Sequence, residues 1–400
     1  MLSAPPPGVV KKPGDAAPGE AFYQKNARNR ENAMPNANFA VRLGWSAVAL
    51  ALLGGPLPGQ PPREPLEQVL FASGQGGYHT YRIPALAATP KGTLLAFCEG
   101  RKTSRSDAGD IDLLVRRSED GGATWSKQQI VHEEGGEKKI TIGNPCPVVD
   151  RRSGAVILAF TRNNDRVFVT RSDDDGRTWA APTEITAQVK KSDWAWYATG
   201  PGHGIQLARG PHKGRLVFPC DHRVKDQPEG RRVSRSHAFY SDDGGKTFQL
   251  GRDVEGNVNE CEAVELSDGA LLLSMRNRDA PDLRAFAVSK DGGRSWSPPK
   301  HHEQVYCPVC QAAIHRHSWQ PSVILYSGPG GKGRNNLTIR ASYDEGQTWP
   351  IARRLHDGGS AYSDLAVLDD GTICCLYEAD GYKTLTFARL SLNWLKAGKP

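Results

Sequence analysis

Nothing in this 400-residue chain is long and apolar enough to cross a bilayer as a helix, which takes about 20 consecutive apolar residues. The most apolar stretch, Leu43 to Leu53 (LGWSAVALALL), is too short, so no integral membrane segment is expected in the mature chain. Basic runs are also missing. The formal net charge of +7 is spread along the chain, which argues against a nucleic-acid surface and suits cationic groups aimed at an anionic small substrate. Paired metal motifs are missing too. Of the eight cysteines only Cys307 and Cys310 form a CxxC, and no second CxxC or HxxxH supplies the remainder of the four ligands zinc usually takes, although His315 and His317 lie nearby. The cysteines read as small buried residues, with or without one disulfide.

Residues 1–38 are poor in large apolar side chains and rich in Pro, Ala, Asn and Gly; they read as a disordered extension. Residues 39–59 have a signal-peptide layout: Arg42, the short apolar run, then small residues and prolines. An exported protein, secreted or periplasmic, is the expectation, with Met34 as the start and residues 1–33 as an over-extended gene prediction.

What the sequence does have is glycine (43), proline (28) and a repeat. The pattern Ser-x-Asp-x-Gly-x-Thr-Trp occurs five times: Ser118–Trp125, Ser172–Trp179, Ser241–Phe248, Ser289–Trp296 and Ser342–Trp349. Each copy reads as a tight turn. The aspartate accepts backbone N–H bonds, the glycine takes a positive φ, and the aromatic residue anchors the hairpin. Strand-like segments precede the turns, such as IDLLVRRS and NLTIRAS. From Ser118 to Ser342 is 224 residues over four intervals, a mean of 56, and residues 66–400 hold about six such units. Repeats of this length are propeller blades. The predicted fold is all-β, a six-bladed propeller of four-stranded antiparallel sheets over residues 66–400. The last blade lacks the turn and borrows a strand from near residue 70. The repeated aspartates read as scaffold.

These turns resemble the Asp-boxes of the sialidase (neuraminidase) family, and YRIPAL at Tyr81–Leu86 resembles its first-arginine motif. The resemblance covers roughly residues 69–392. It implies an exo-α-sialidase acting on sialylated glycans, with no cofactor and no metal. It implies three arginines for the substrate carboxylate: Arg82, Arg276 (LLSMRN) and Arg340 (LTIRAS). Arginine suits this task because its planar fork matches a carboxylate and its charge is permanent. Glu378 (CLYEAD) matches the acid that braces the first arginine, and Arg101 (EGRKTS) a further pocket arginine. Tyr362 (GGSAYSDLAVL) matches the nucleophile, since a neutral phenol avoids the repulsion a carboxylate would meet beside the anionic sugar. Glu260 (VNECEAVEL) matches its base, with Glu262 as the alternative. Asp107 matches the acid/base in the loop RKTSRSDAGDIDLL, with Asp110 next in order. Trp194, Trp196 and His203 are candidates for the pocket wall. A carbohydrate-binding propeller without catalysis, a trans-sialidase, a hydrolase of deaminated sialic acid and a protein-binding propeller remain the other readings.

Overall fold

The computed structural model describes residues 65–398 apart from 137, 228–231 and 280–281; the expectations for residues 1–38 and 39–59 lie outside the described residues. Among the described residues no helix is long and apolar enough to cross a membrane. The architecture is an all-β propeller. Among the described residues three sheets have four strands, one has five and one has seven. In the seven-stranded sheet, the 17-residue strand Ile351–Val367 pairs with Asn335–Ser342 up to Gly359 and with Ile373–Ala379 from Ser360 onward. The strand expected near residue 70 is Leu66–Ala72. It pairs antiparallel with Thr384–Leu390, so the first strand completes the sheet made by the last ones.

The apolar cores lie between neighbouring sheets. Ala85 and Phe97 pack with Ile142 and Leu158, and Leu86 and Ala96 pack with Leu376 and Phe387. Both faces of a sheet are therefore covered, which is why second strands such as LLAFCEGR (Leu94–Arg101) are buried along their whole length.

The repeated turns close as their chemistry requires. Asp120 accepts bonds from the Thr124 amide (2.9 Å), the Thr124 hydroxyl (2.6 Å) and Ser118 Oγ (2.7 Å), and Ser118 Oγ accepts from the Gly122 amide (2.7 Å). The same set recurs around Asp174, where the Thr178 hydroxyl and amide bring the carboxyl down to about 2. The turns also join one sheet to the preceding one. Arg117 Nε donates to Asp175 O (2.8 Å), Arg171 Nη1 to Gly244 O (3.0 Å) and Arg215 Nη1 to Gly292 O (2.9 Å). Trp125 lies edge-on to Phe387 at 4.9 Å and Trp179 to Phe97 at 5.7 Å.

Gly122 (φ +90°) shows why the turn takes glycine twice over: a Cβ there would sit 2.4 Å from the Phe387 ring. Gly154 (φ +78°) has nothing within 4 Å of its Cβ position. Gly154→Ala is expected to lose about 1 kcal/mol from backbone strain alone. Gly122→Ala should lose roughly 1–3 kcal/mol more from the clash with Phe387. Urea unfolding of both variants beside the parent separates the two terms, and equal losses would remove the packing role.

Candidate active site

The innermost strands are irregular at matching places. Register shifts fall between Arg82 and Ala85, Gly143 and Cys146, Asn259 and Cys261, and Ser360 and Ser363. An extra residue in a strand re-aims the side chains around it. Here the re-aimed residues include Glu260 and Tyr362. Ile83 and Asn144 carry φ of +58°, uncommon for any non-glycine residue and more so for β-branched isoleucine.

The strain at Ile83 is held by Glu378, on the strand Ile373–Ala379. Glu378 accepts Arg82 Nε (2.7 Å) and Nη2 (3.2 Å), the Ile83 amide (3.0 Å) and the Tyr362 amide (3.1 Å). One buried carboxylate thus fixes an arginine and two backbone amides from two other strands. Glu99 plays a related part in the next sheet, accepting Nε (3.0 Å) and Nη2 (2.7 Å) of Arg101 on its own strand and the Asn144 amide (3.0 Å) of a neighbouring one.

The Tyr362 hydroxyl donates to Glu260 Oε1 in a short hydrogen bond and accepts from Arg276 Nη1 at 3.2 Å. Arg276 Nη1 pairs with Glu260 Oε2 at 2.8 Å, and its Nε is oriented by Asn259 Oδ1 at 2.8 Å. Burial, then the Glu260 charge, push the Tyr362 phenol well above its ordinary value, while Arg276, Arg334 and Arg82 pull it back. Asp107 lies on the rim with its side chain 83% exposed, 2.8 Å from Arg101 Nη1 and 3.5 Å from Arg82 Nη1.

The structure therefore gathers Arg82, Arg101, Arg276, Glu260, Tyr362, Glu378 and Asp107. It does not bring Arg340 to them. Arg340 lies late in the strand Asn335–Ser342, opposite Tyr326 and Ala352 and two residues before the repeated turn. The third arginine at the cluster is Arg334, immediately before that strand. Its guanidinium lies 5.3 Å from the Tyr362 ring centroid, with Nη1 on Tyr382 Oη (3.1 Å) and Nη2 on Val309 O (3.0 Å). Tyr382, absent from the sequence reading, stacks on Arg82 at 4.3 Å. A signal did exist: the clustered residues sit at the end of their strands far from the repeated turns, which favours Arg334.

Other expectations change as well. Asp110 and Asp112 bind Lys102 at 3.3 and 3.2 Å rather than the arginine cluster. Trp194 is not pocket wall; it is buried and stacked on His222 at 3.5 Å. Trp196 is half-buried, with the Arg223 guanidinium 5.0 Å from its ring. His203 sits deeper, with Glu262 and Asp364 in a group whose ligand atoms lie within 4.8 Å of one another. Those atoms already have protein partners. His203 bonds Asp364 (2.6 Å) and His315 (2.8 Å), and Glu262 accepts from Gln311 Nε2 (2.9 Å) and the Ile314 amide (3.0 Å). We assign no ion to this closed network. Asp221, also missed, is fully buried with neither oxygen hydrogen-bonded among the described residues; burial and Glu260 push its carboxyl well up. A cavity of about 640 Å3 opens at the far end of the inner strands, lined by His203, His315, Arg316 and Trp319 among others.

A BNR repeat-like domain matches residues 92–375. Among curated proteins, the chain is 35% identical to the sialidase of Micromonospora viridifaciens, over 89% of this chain and 58% of that protein. It is 33% identical to the sialidase of Bacteroides fragilis strain YCH46, over 80% of this chain and 64% of that protein. It thus spans about three-fifths of the length of these two relatives. Among solved structures, a Hadza microbial sialidase superposes with a TM-score of 0.74 at 30% identity, over 82% of this chain and 69% of that one. Fold and repeats together define a BNR-repeat β-propeller. Within that class, the chain belongs to the sialidase family.

Glu378→Gln keeps the shape and removes the charge that holds Arg82. Loss of one partner of a buried pair predicts a stability decrease of about 3 kcal/mol. Chemical denaturation checks this, and a change within about 0.5 kcal/mol, the usual effect of a surface substitution, would show that the carboxylate is not the brace.

Proposed function

We propose that this protein is an exo-α-sialidase that hydrolyses terminal α-linked sialic acids of glycoproteins, glycolipids or oligosaccharides with retention at the anomeric carbon. The observation that carries the reading is the Tyr362 hydroxyl bonded to Glu260 beneath a rim of arginines. Arg82, Arg276 and Arg334 take the sugar carboxylate. Tyr362 attacks the anomeric carbon as Glu260 accepts its proton. Asp107 protonates the leaving oxygen, then activates the water that releases the sugar from Tyr362. Two inversions give retention, and each step falls to a side chain of this protein. We read the seven-stranded sheet as two blades that exchange partners at Gly359–Ser360, which makes six blades in all. Export remains a reading of residues 39–59.

Release of 4-methylumbelliferone from its α-sialoside by the full chain tests the activity. Tyr362→Phe should lower kcat by about three orders of magnitude or more, as loss of a nucleophile does. Arg334→Ala should raise KM strongly, whereas Arg340→Ala should leave it near the parent's. Absence of turnover in a folded parent would favour a carbohydrate-binding propeller.

In the free protein Asp107 stands where it meets Arg101 and Arg82. Lost hydration beside the neighbouring protein raises its carboxyl, but Arg101, then Arg82 and Arg334, outweigh this and hold it below the ordinary carboxylate range. A bound anionic sugar neutralises Arg82 and Arg334, so the Asp107 pKa rises in the complex and the acid becomes available. The limb on which activity falls with rising pH through loss of this proton should lie at higher pH in kcat than in kcat/KM. It should vanish in Asp107→Ala, which lowers kcat by roughly 10²–10⁴-fold. Coincident limbs would count against the displacement.

A further inference from the structure

The CxxC has no part in this chemistry, yet the fold sets it against the site. Cys307 and Cys310 lie in the loop between the strands Lys300–Tyr306 and Ala313–Trp319. Both are free thiols and both are buried. Cys307 Sγ folds back to 3.3 Å from the carbonyl oxygen of Cys310, so the loop is already closed on itself. Val309, between them, is exposed, which opens one side of the loop to solvent. The other cysteines lie within strands. Of these, the neighbours Cys374 and Cys375 point into different cores.

Arg284 supplies the second observation. It is fully buried and, among the described residues, makes no ion pair with a carboxylate. Its guanidinium meets Ser274 Oγ (2.8 Å), the carbonyls of Ser274, Cys310 and Ala312 (3.0–3.1 Å) and Cys307 Sγ (3.7 Å). A buried cation is normally paired. Among the described residues the side chains hydrogen-bonded to it are Ser274 and the Cys307 thiol, so this sulfur stands beside a permanent positive charge.

The same loop holds the site. The carbonyl of Val309 accepts from Arg334 Nη2 at 3.0 Å. Gln311 next to it bonds Ser363, the neighbour of Tyr362, through both its oxygen and its nitrogen (3.0 Å each). A change in the path of residues 307–310 therefore reaches Arg334, whose partner Val309 lies between the two cysteines.

We propose that Cys307 and Cys310 are a redox-active dithiol, and that closing it to a disulfide misplaces Arg334 and weakens substrate binding. The oxidant is a low-molecular-weight disulfide of the glutathione class. One cysteine sulfur attacks it, its S–S bond breaks and the first thiol leaves. The second cysteine sulfur attacks the mixed disulfide, the Cys307–Cys310 bond forms and the second thiol leaves, the two cysteine protons passing to the two released thiols. The dithiol stands on its own geometry. Its effect on substrate binding rests on the sialidase reading.

The test equilibrates the full chain in reduced and oxidised glutathione mixtures, with alkylation and peptide mass reading the disulfide and sialoside kinetics reading the site. The expected result is a Cys307–Cys310 disulfide and a KM raised by about tenfold, the size of one misplaced charge-assisted hydrogen bond. The kcat should move little, and dithiothreitol should reverse the change. Cys307→Ser, or Cys307→Ala if the first fails to fold, should keep the reduced protein's activity and lose the response. No 307–310 disulfide in folded, oxidised protein would overturn the dithiol. A disulfide with unchanged KM would overturn its action on Arg334. Absence of turnover in both redox states overturns the sialidase reading and leaves the peptide mass to decide the dithiol.

Discussion

The Glu378 carboxylate is the contact on which the site depends. Arg82, Ile83 and Tyr362 come from the two ends of the folded chain, and nothing in their local sequence would place them together. Glu378 collects all three with hydrogen bonds of 2.7–3.2 Å. A carboxylate buried this deeply is tolerable only when its lone pairs are filled and a cation stands beside it. Those two requirements fix the arginine's orientation, keep Ile83 at a φ it would otherwise avoid, and set the level of the tyrosine backbone. Glu99 repeats the device between the next two sheets with Arg101 and the Asn144 amide, Asn144 having the same φ of +58°. Carboxylate and bulge thus work as a pair. The bulge frees an amide and a carboxylate from the neighbouring sheet catches it, and at Arg82 the same carboxylate takes the side chain as well.

The propeller separates two tasks along each strand. The ends that carry the repeated turns hold one sheet to the next through Arg117, Arg171, Arg215 and the aromatic contacts. The opposite ends carry the residues that converge once. Rigidity at the turn end permits strain at the other, because the strained residues have nowhere to relax.

Much of this was legible in the sequence. The repeat gave the all-β propeller and the strand near residue 70. Motif resemblance singled out Tyr362, Glu260, Arg82, Arg276, Glu378, Arg101 and Asp107, which the fold brings together. The failures share a cause. Arg340 satisfies a motif in a strand, but a motif does not say at which end of the strand the site lies; Arg334 sits at the right end in a loop-like segment, GKGRNN, with no periodicity of its own. Trp194 looked like pocket wall because of its neighbours, and burial against His222 depends on contacts between strands that spacing does not encode. Tyr382 joins the cluster only through the distant Arg82 and Arg334, and the burial of Asp221 beside Glu260 depends on contacts between strands, so a linear reading has no means of finding them.

The pairing of Leu66–Ala72 with Thr384–Leu390 has a kinetic meaning. Glu67 and Tyr377 are 310 positions apart yet hydrogen-bonded at 2.6 Å, and the apolar seam around Phe71 and Phe387 joins segments similarly far apart. Contacts of such sequence separation form late, because the chain entropy of closure must be overcome before they contribute. While the ribosome is still making the last blade, the first strand has no partner and presents an open edge. Completion of the ring is therefore an event that awaits the final strands, and until then an unclosed chain remains a substrate for chaperones and proteases rather than a finished propeller.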